Sequence, residues 1–168
     1  MANTTTFPIL QKNVDQIVTV QEDEIAFAIL MLMERKRVVA EGAGATPLAA
    51  LLSGRPKIRG KKVVLVISGG NIDFNLLDRI IEKGLAQTGR MVRFEVLLRD
   101  VPGALARIAD LIGRYRANIL HIIHERAARD IPIGSSRVIL VLETRNRNHI
   151  REIAAGLKKE NYPVRMLT

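Results

Sequence analysis

Apolar residues in this chain change their spacing several times, and each change predicts an element. Between Glu22 and Arg35 they fall at Ile25, Ala28, Ile29, Leu32 and Met33, the spacing of one helical face. Glu22, Asp23 and Glu24 fill the first turn and Arg35, Lys36 and Arg37 close the end, as the helix dipole favours. Gln21 stands at the N-cap, where Ser or Thr would cap better. Ile17–Val20 is a short β-prone run, and Arg37–Ala40 reads as a short strand or an extended connection. Thr46 and Pro47 are the expected N-cap and first residue of a second helix that stops at Ser53 and Gly54. Lys61–Ile67 is continuous after its two lysines, the pattern of a strand buried on both faces in a parallel sheet. A further helix is expected over 74–84, capped by Asp73, with Leu77, Ile80, Ile81 and Gly84 inward. Gly84 and Gly89 then bracket a short linker.

Beyond residue 90 the spacing alternates. Val92, Phe94, Val96 and Leu98 share one face of a strand over Met91–Leu98. Asp100-Val101-Pro102-Gly103 is a turn. A helix over Ala104–Tyr115 presents Leu105, Ile108, Ile112 and Tyr115 inward. Strands at Asn118–Glu125 and Arg137–Glu143 flank a hairpin through Ile131-Pro132-Ile133-Gly134. A helix over Asn148–Lys159 and a last strand over Tyr162–Leu167 complete the order βαββαβ, the ferredoxin-like α+β motif. Its helices cover one face of an antiparallel sheet and leave the other face and the edges for a partner. The expected division is 1–88, an α/β piece, and 89–168, the α+β domain.

Charge sharpens that division. Residues 1–88 carry 11 Lys/Arg against 9 Asp/Glu, and residues 89–168 carry 15 against 8. A basic second half raises nucleic-acid binding. Its arginines are scattered singly, aromatics are 4% of the chain and Trp is absent, so no base-stacking platform is expected and the excess reads as a solvated basic face. The chain has no Cys, which excludes a disulfide framework and a thiolate metal site. His121 and His124 stand three apart on a strand, point to opposite faces and do not share an ion, so no metal is expected. His149, at a helix start, is expected to be solvated. No secretory signal or membrane span is evident, and the expected location is the cytoplasm.

The segments EGAGA, LAALLSG and VISGGNID, followed by RMVRFEVLLRDVPGALARIADLIGRYRANILHI, resemble the C-terminal part of the ACT-bearing threonine dehydratases (threonine ammonia-lyases) over essentially the whole chain. That family belongs to fold type II of the pyridoxal-phosphate enzymes and works in amino-acid metabolism, including isoleucine biosynthesis. The resemblance implies a remnant of the catalytic fold over 1–88 and an ACT regulatory domain over 89–168. It implies that Ser68 faces the pyridine nitrogen of pyridoxal phosphate, that Gly69 and Gly70 admit close backbone approach, and that Glu41 and Gly42 line the same pocket. The family's Schiff-base lysine segment and its glycine-rich phosphate loop have no match. Lys12, Lys36, Lys57, Lys61 and Lys62 sit in other contexts. The chain is therefore expected to be inactive alone and to hold no cofactor by itself, as a truncated form, a split gene product or a gene remnant.

In ACT domains the turn matching Asp100, Val101, Pro102, Gly103, Ala104 and Leu105 binds an amino-acid effector at a subunit interface, and Asn118 falls where the family often touches it. The chemistry fits: N–H groups at a helix start attract a carboxylate, Asp100 suits an α-ammonium, and Gly103 admits a ligand to the backbone. The expected partners are an amino-acid effector, with isoleucine, valine, serine and threonine all compatible, and a second copy through the ACT half. Two alternatives stand beside this reading: a split subunit completing an active site with a separate N-terminal catalytic chain, and an oligomerisation module that binds nothing.

Overall fold

The computed structural model describes residues 5–58, 60 and 62–167. The chain divides into two compact units, Met1–Ile81 and Glu82–Thr168, each described here by itself.

The first unit is helical. A short helix missed by the periodicity, α1 (Thr6–Asn13), buries none of its side chains. Helix α2 (Glu22–Met31) runs into a π-helical turn over Leu32–Lys36, which Arg37 ends in the left-handed region at φ 57. The poor capping residue is offset from the other side. The Glu24 carboxylate accepts the Gln21 N–H at 2.7 Å, which is half of a capping box. Arg55 Nη1 also donates to that carboxylate at 2.6 Å.

Helix α3 spans Gly42–Leu52 with Glu41 at the N-cap, five residues before the expected start at Thr46 and Pro47. Both lie inside the helix, where the Thr46 hydroxyl bonds the Gly42 carbonyl at 2.9 Å. The run GAGAT is thus helical backbone, because small residues pack this turn against its neighbour. Gly54, at φ 69, ends the helix as expected.

The expected buried strand does not form. Lys61 lies outside the described residues. Residues 62–73 carry no regular secondary structure and belong to no ladder, and among the described residues of the first unit no strand is present. Val64 is 88% and Val66 69% exposed, so the face they would share is open, while Leu65 and Ile67 are half-buried. A strand needs a neighbour for its N–H and C=O groups, and none of these residues supplies one. For the same reason Ile17–Val20 and Arg37–Ala40 are without strand pairing.

Helix α4 (Phe74–Gln87) follows, and the Asp73 carboxylate caps it, accepting Asn75 N–H at 2.8 Å and Leu76 N–H at 3.2 Å. Leu77 and Ile80 join Ala28, Ile29, Ala45 and Ala49 in a core built largely of alanines. The supposed linker after Gly84 is helical as far as Gln87, and Gly89, at φ 72, makes the break.

The second unit holds β1 (Met91–Arg99), α5 (Ala104–Arg114), β2 (Asn118–Glu125), β3 (Ser135–Glu143), α6 (Arg147–Lys159) and β4 (Val164–Leu167). Each lies within a few residues of its expected range. The four strands form one antiparallel sheet in the order β2-β3-β1-β4, with β2 and β4 at the edges. Phe94, Val96, Leu140 and Leu142 on its inner face pack with Ile108 and Ile112 of α5 and Ile153 and Leu157 of α6. Strand β2 bulges at Leu120, so His121 pairs across from Val141 and His124 from Val138 on opposite faces, as expected of the two histidines.

His149 is the clear correction here. It is 2% exposed, not solvated. Its Nδ1 accepts the Arg145 N–H at 3.1 Å, which leaves Nε2 to donate to the Tyr115 carbonyl at 2.7 Å. Nearby, the Thr144 hydroxyl donates to the Gly89 carbonyl at 2.8 Å and Arg147 Nη2 to the Gln87 carbonyl at 2.9 Å. The β3–α6 corner thereby holds the segment that leads into the sheet.

Candidate functional site

The two glycine-rich segments of the first unit, about 25 residues apart in sequence, meet in space. The Glu41 N–H donates to the Gly69 carbonyl at 3.0 Å. A methyl on Gly44 would stand 2.7 Å from that carbonyl oxygen, and one on Gly69 would stand 2.5 Å from the Glu41 carboxylate. Only glycine permits this approach of a helix start to a second segment. Glu41 and Gly69 therefore touch, with Gly42 next to the first in the chain and Ser68 and Gly70 next to the second. Ser68 is exposed.

In the second unit Gly103 caps α5 at φ 80, left-handed, and a methyl there would meet nothing nearer than Arg107 Nη1 at 3.9 Å. The turn is open on that side. Asp100 is less free than its sequence suggests. Its N–H donates to the Gly134 carbonyl at 2.9 Å, and its carboxylate pairs with Arg126 Nε at 3.1 Å. Val101 and Pro102 are exposed, Leu105 is half-buried, and Ala104 is buried against the sheet.

Asn118 does not join them within one chain. It pairs across from Glu143, which also stays level with Met91, at the end of the sheet opposite Asp100. Eight residues of β2 separate those ends, roughly 23 Å at the usual strand rise. Its side chain donates to the Glu143 carboxylate at 3.0 Å.

The outer face of the sheet, expected to be free for a partner, carries ion pairs at its centre. Glu95 accepts Arg165 Nη2 at 2.7 Å and lies 3.7 Å from Arg137 Nε. Arg137 reaches Glu125 at 3.4 Å and bonds Asp130. The Arg137 guanidinium, through that bond, holds the Asp130 carboxyl below its ordinary range. Sequence reasoning passed over Arg126, Arg137 and Glu95. The available signal was Glu95, an acid set between Phe94 and Val96 on the outward half of an alternating strand. Among the described residues no group of three or more His, Cys, Asp or Glu is placed to hold a metal. No helix is long and apolar enough to cross a membrane among the described residues.

Residues 1–69 match the family described as "Pyridoxal-phosphate dependent enzyme", and residues 92–159 match the ACT domain. These define the class: a piece of a pyridoxal-phosphate enzyme joined to an ACT domain. Within it, the chain is similar over most of its length to the threonine ammonia-lyases. It is 47% identical over 162 residues to L-threonine ammonia-lyase of Thermotoga maritima and 46% identical to that of Geobacter sulfurreducens. Both alignments cover 96% of this chain and 40% of the relative, so the chain spans two fifths of the length of these relatives. Among solved structures, the ACT domain from GTP pyrophosphokinase of Chlorobium tepidum aligns with 46% of this chain and 96% of its own at 18% identity, TM-score 0.37.

Proposed function

We propose that the chain is the regulatory, amino-acid-binding C-terminal part of a cytoplasmic threonine ammonia-lyase. The observation that carries this is the open turn before α5 in an ACT domain, with Gly103 left-handed and Asp100 at its base. We read the unit as ferredoxin-like, with the effector's carboxylate at the start of α5 and its ammonium at Asp100. A second copy completes the site in this reading. The outer edge of β2 is unpaired and exposes Leu120, Ile122 and Ile123. Antiparallel pairing of two β2 edges about a twofold axis brings the start of each β2 to the end of the other. The partner copy's Asn118 then stands beside this chain's turn at 100–105.

The first unit's patch fits one side of a pyridoxal phosphate site: an exposed serine hydroxyl next to a glycine backbone against which the Glu41 carboxylate lies. Ser68 would face the ring nitrogen, with Gly69, Gly70, Glu41 and Gly42 beneath. The cofactor, when bound, supplies an electron sink for β-elimination, and a hydroxyl partner keeps that sink weaker than a carboxylate would. In the proposal these residues only orient it. The lysine and the phosphate loop come from outside these 168 residues, and the chain alone has no lyase activity. The segment 62–73, which joins no ladder, favours one further reading, a subunit that completes its sheet with a separate chain.

Thermal unfolding of the chain with millimolar isoleucine, valine, serine or threonine tests the first reading. A ligand that binds only the folded state raises Tm by mass action. The expected result is a rise with at least one of them that Asp100→Asn removes, together with a dimer in sedimentation. No rise with any of them rejects effector binding, and a monomer rejects the shared site.

A further inference from the structure

We propose that Arg126 is an internal occupant of the amino-acid site, holding the Asp100 carboxylate until a ligand's α-ammonium displaces it. This rests on the reading of the 100–105 turn given above and adds how that site is held shut.

Asp100 is anchored through its main chain, since its N–H donates to the Gly134 carbonyl. Its carboxylate cannot follow a departing partner far. Arg126 is the first residue after β2, and its guanidinium reaches back to Asp100 at 3.1 Å from Nε. The arginine side chain is 66% exposed against 34% for the aspartate, so water reaches the cation more freely than its partner. Both ends of the connection between β2 and β3 thus converge on one residue: Arg126 on its side chain, Gly134 on its backbone. Asp130, within that connection, is bonded to Arg137 on the sheet.

An α-ammonium presents the same charge as the guanidinium it replaces, so exchange leaves the charge at Asp100 unchanged. It also releases Arg126 to solvent, while the ligand's carboxylate goes to the start of α5. A ligand without an ammonium has nothing to trade for Arg126, so the exchange selects amino acids over simple carboxylic acids. The cost of displacement is that of an exposed ion pair. Such pairs contribute little, so removing it should tighten binding by roughly two- to fivefold. The gain should shrink at high salt, which already screens the pair.

The test is calorimetric titration of the full chain, wild type and Arg126→Gln, with isoleucine, valine, serine and threonine at low and high salt. Arg126 is a surface residue, so the variant should fold as the wild type does. Expected is tighter binding by Arg126→Gln at low salt, a smaller gain at high salt, and loss of binding in the Asp100→Asn and double variants. Binding by the variant where the wild type shows none also supports the proposal. Equal or weaker binding by Arg126→Gln overturns it and leaves the effector reading standing. A double variant that binds as well as Arg126→Gln overturns it too, because Asp100 would then not be the contested group. No binding by any form overturns both.

Discussion

The two units have similar shares of apolar sequence and different fates. In the second, every strand finds a neighbour, and Phe94, Ile108, Leu140, Ile153 and Leu157 are closed off from water between the sheet and two helices. In the first, the apolar run over 63–67 joins no ladder, and Phe74, the first residue of α4, is 85% exposed. The difference teaches that an apolar pattern states what an element needs, not that it will get it. A helix satisfies its own backbone, which is why α2, α3 and α4 form regardless. A strand borrows its hydrogen bonds from elsewhere.

The largest contrast should appear in limited proteolysis. Trypsin should cut first at Arg55, Lys57 or Lys62, around the segment that joins no ladder, and leave a resistant fragment that contains β1 to β4. Mass spectrometry of the early fragments checks this. First cuts within β1 or β3 would reverse the ranking of the two units.

Point substitutions sharpen it. Val64 and Phe94 both read as buried strand residues in sequence. Phe94→Ala should cost about 3–5 kcal/mol, as large-to-small changes in a closed core do. Val64→Ala should fall within about 0.5 kcal/mol of the wild type, as surface changes do. Urea denaturation followed by circular dichroism measures both. Equal costs would mean that Val64 is covered.

These substitutions also mark what sequence could reveal. The second unit was legible nearly throughout, because alternation and helical spacing there describe contacts made within the same 80 or so residues. Phe94 and Ile153 face inward as their periodicity says. The start of α3 was misplaced because Thr46-Pro47 is a strong local signal, while the signal for Glu41 is tertiary: Gly44 and Gly69 must touch. His149 was misjudged for a similar reason, since its two partners, Arg145 and Tyr115, come together only when the helices pack. At the turn, Gly103 was readable and Arg126 was not, because nothing local links residues 100 and 126.

A smaller effect should follow from Gly156→Ala. A methyl there would fall inside the Tyr115 ring, which packs on the α6 backbone. Overpacking of this kind costs about 1–3 kcal/mol. The same denaturation experiment reads it, and a neutral result would show that Tyr115 swings aside freely.

The smallest effect is electrostatic and touches both units. Arg55 holds the Glu24 carboxyl below its ordinary range, chiefly through its hydrogen bond, and Arg137 does the same for Asp130. A carboxyl depressed in the folded state stabilises fully above its unfolded pKa and loses that contribution as pH falls through its folded pKa. Tm should therefore hold near neutral pH and decline in acid below the ordinary carboxylate range. Glu24→Gln and Asp130→Asn should each flatten that decline slightly. A decline that begins above that range would assign it to other groups.

The central proposal is that the second unit, with a second copy, takes up an amino acid at its 100–105 turn, while residues 62–73 of the first unit lie outside any ladder. Hydrogen exchange of the chain with and without a bound amino acid tests it most directly. Predicted is added protection over 100–107 and along β2, with residues 62–73 exchanging fast in both states. Protection confined to the first unit, or slow exchange across 62–73 without ligand, would contradict it.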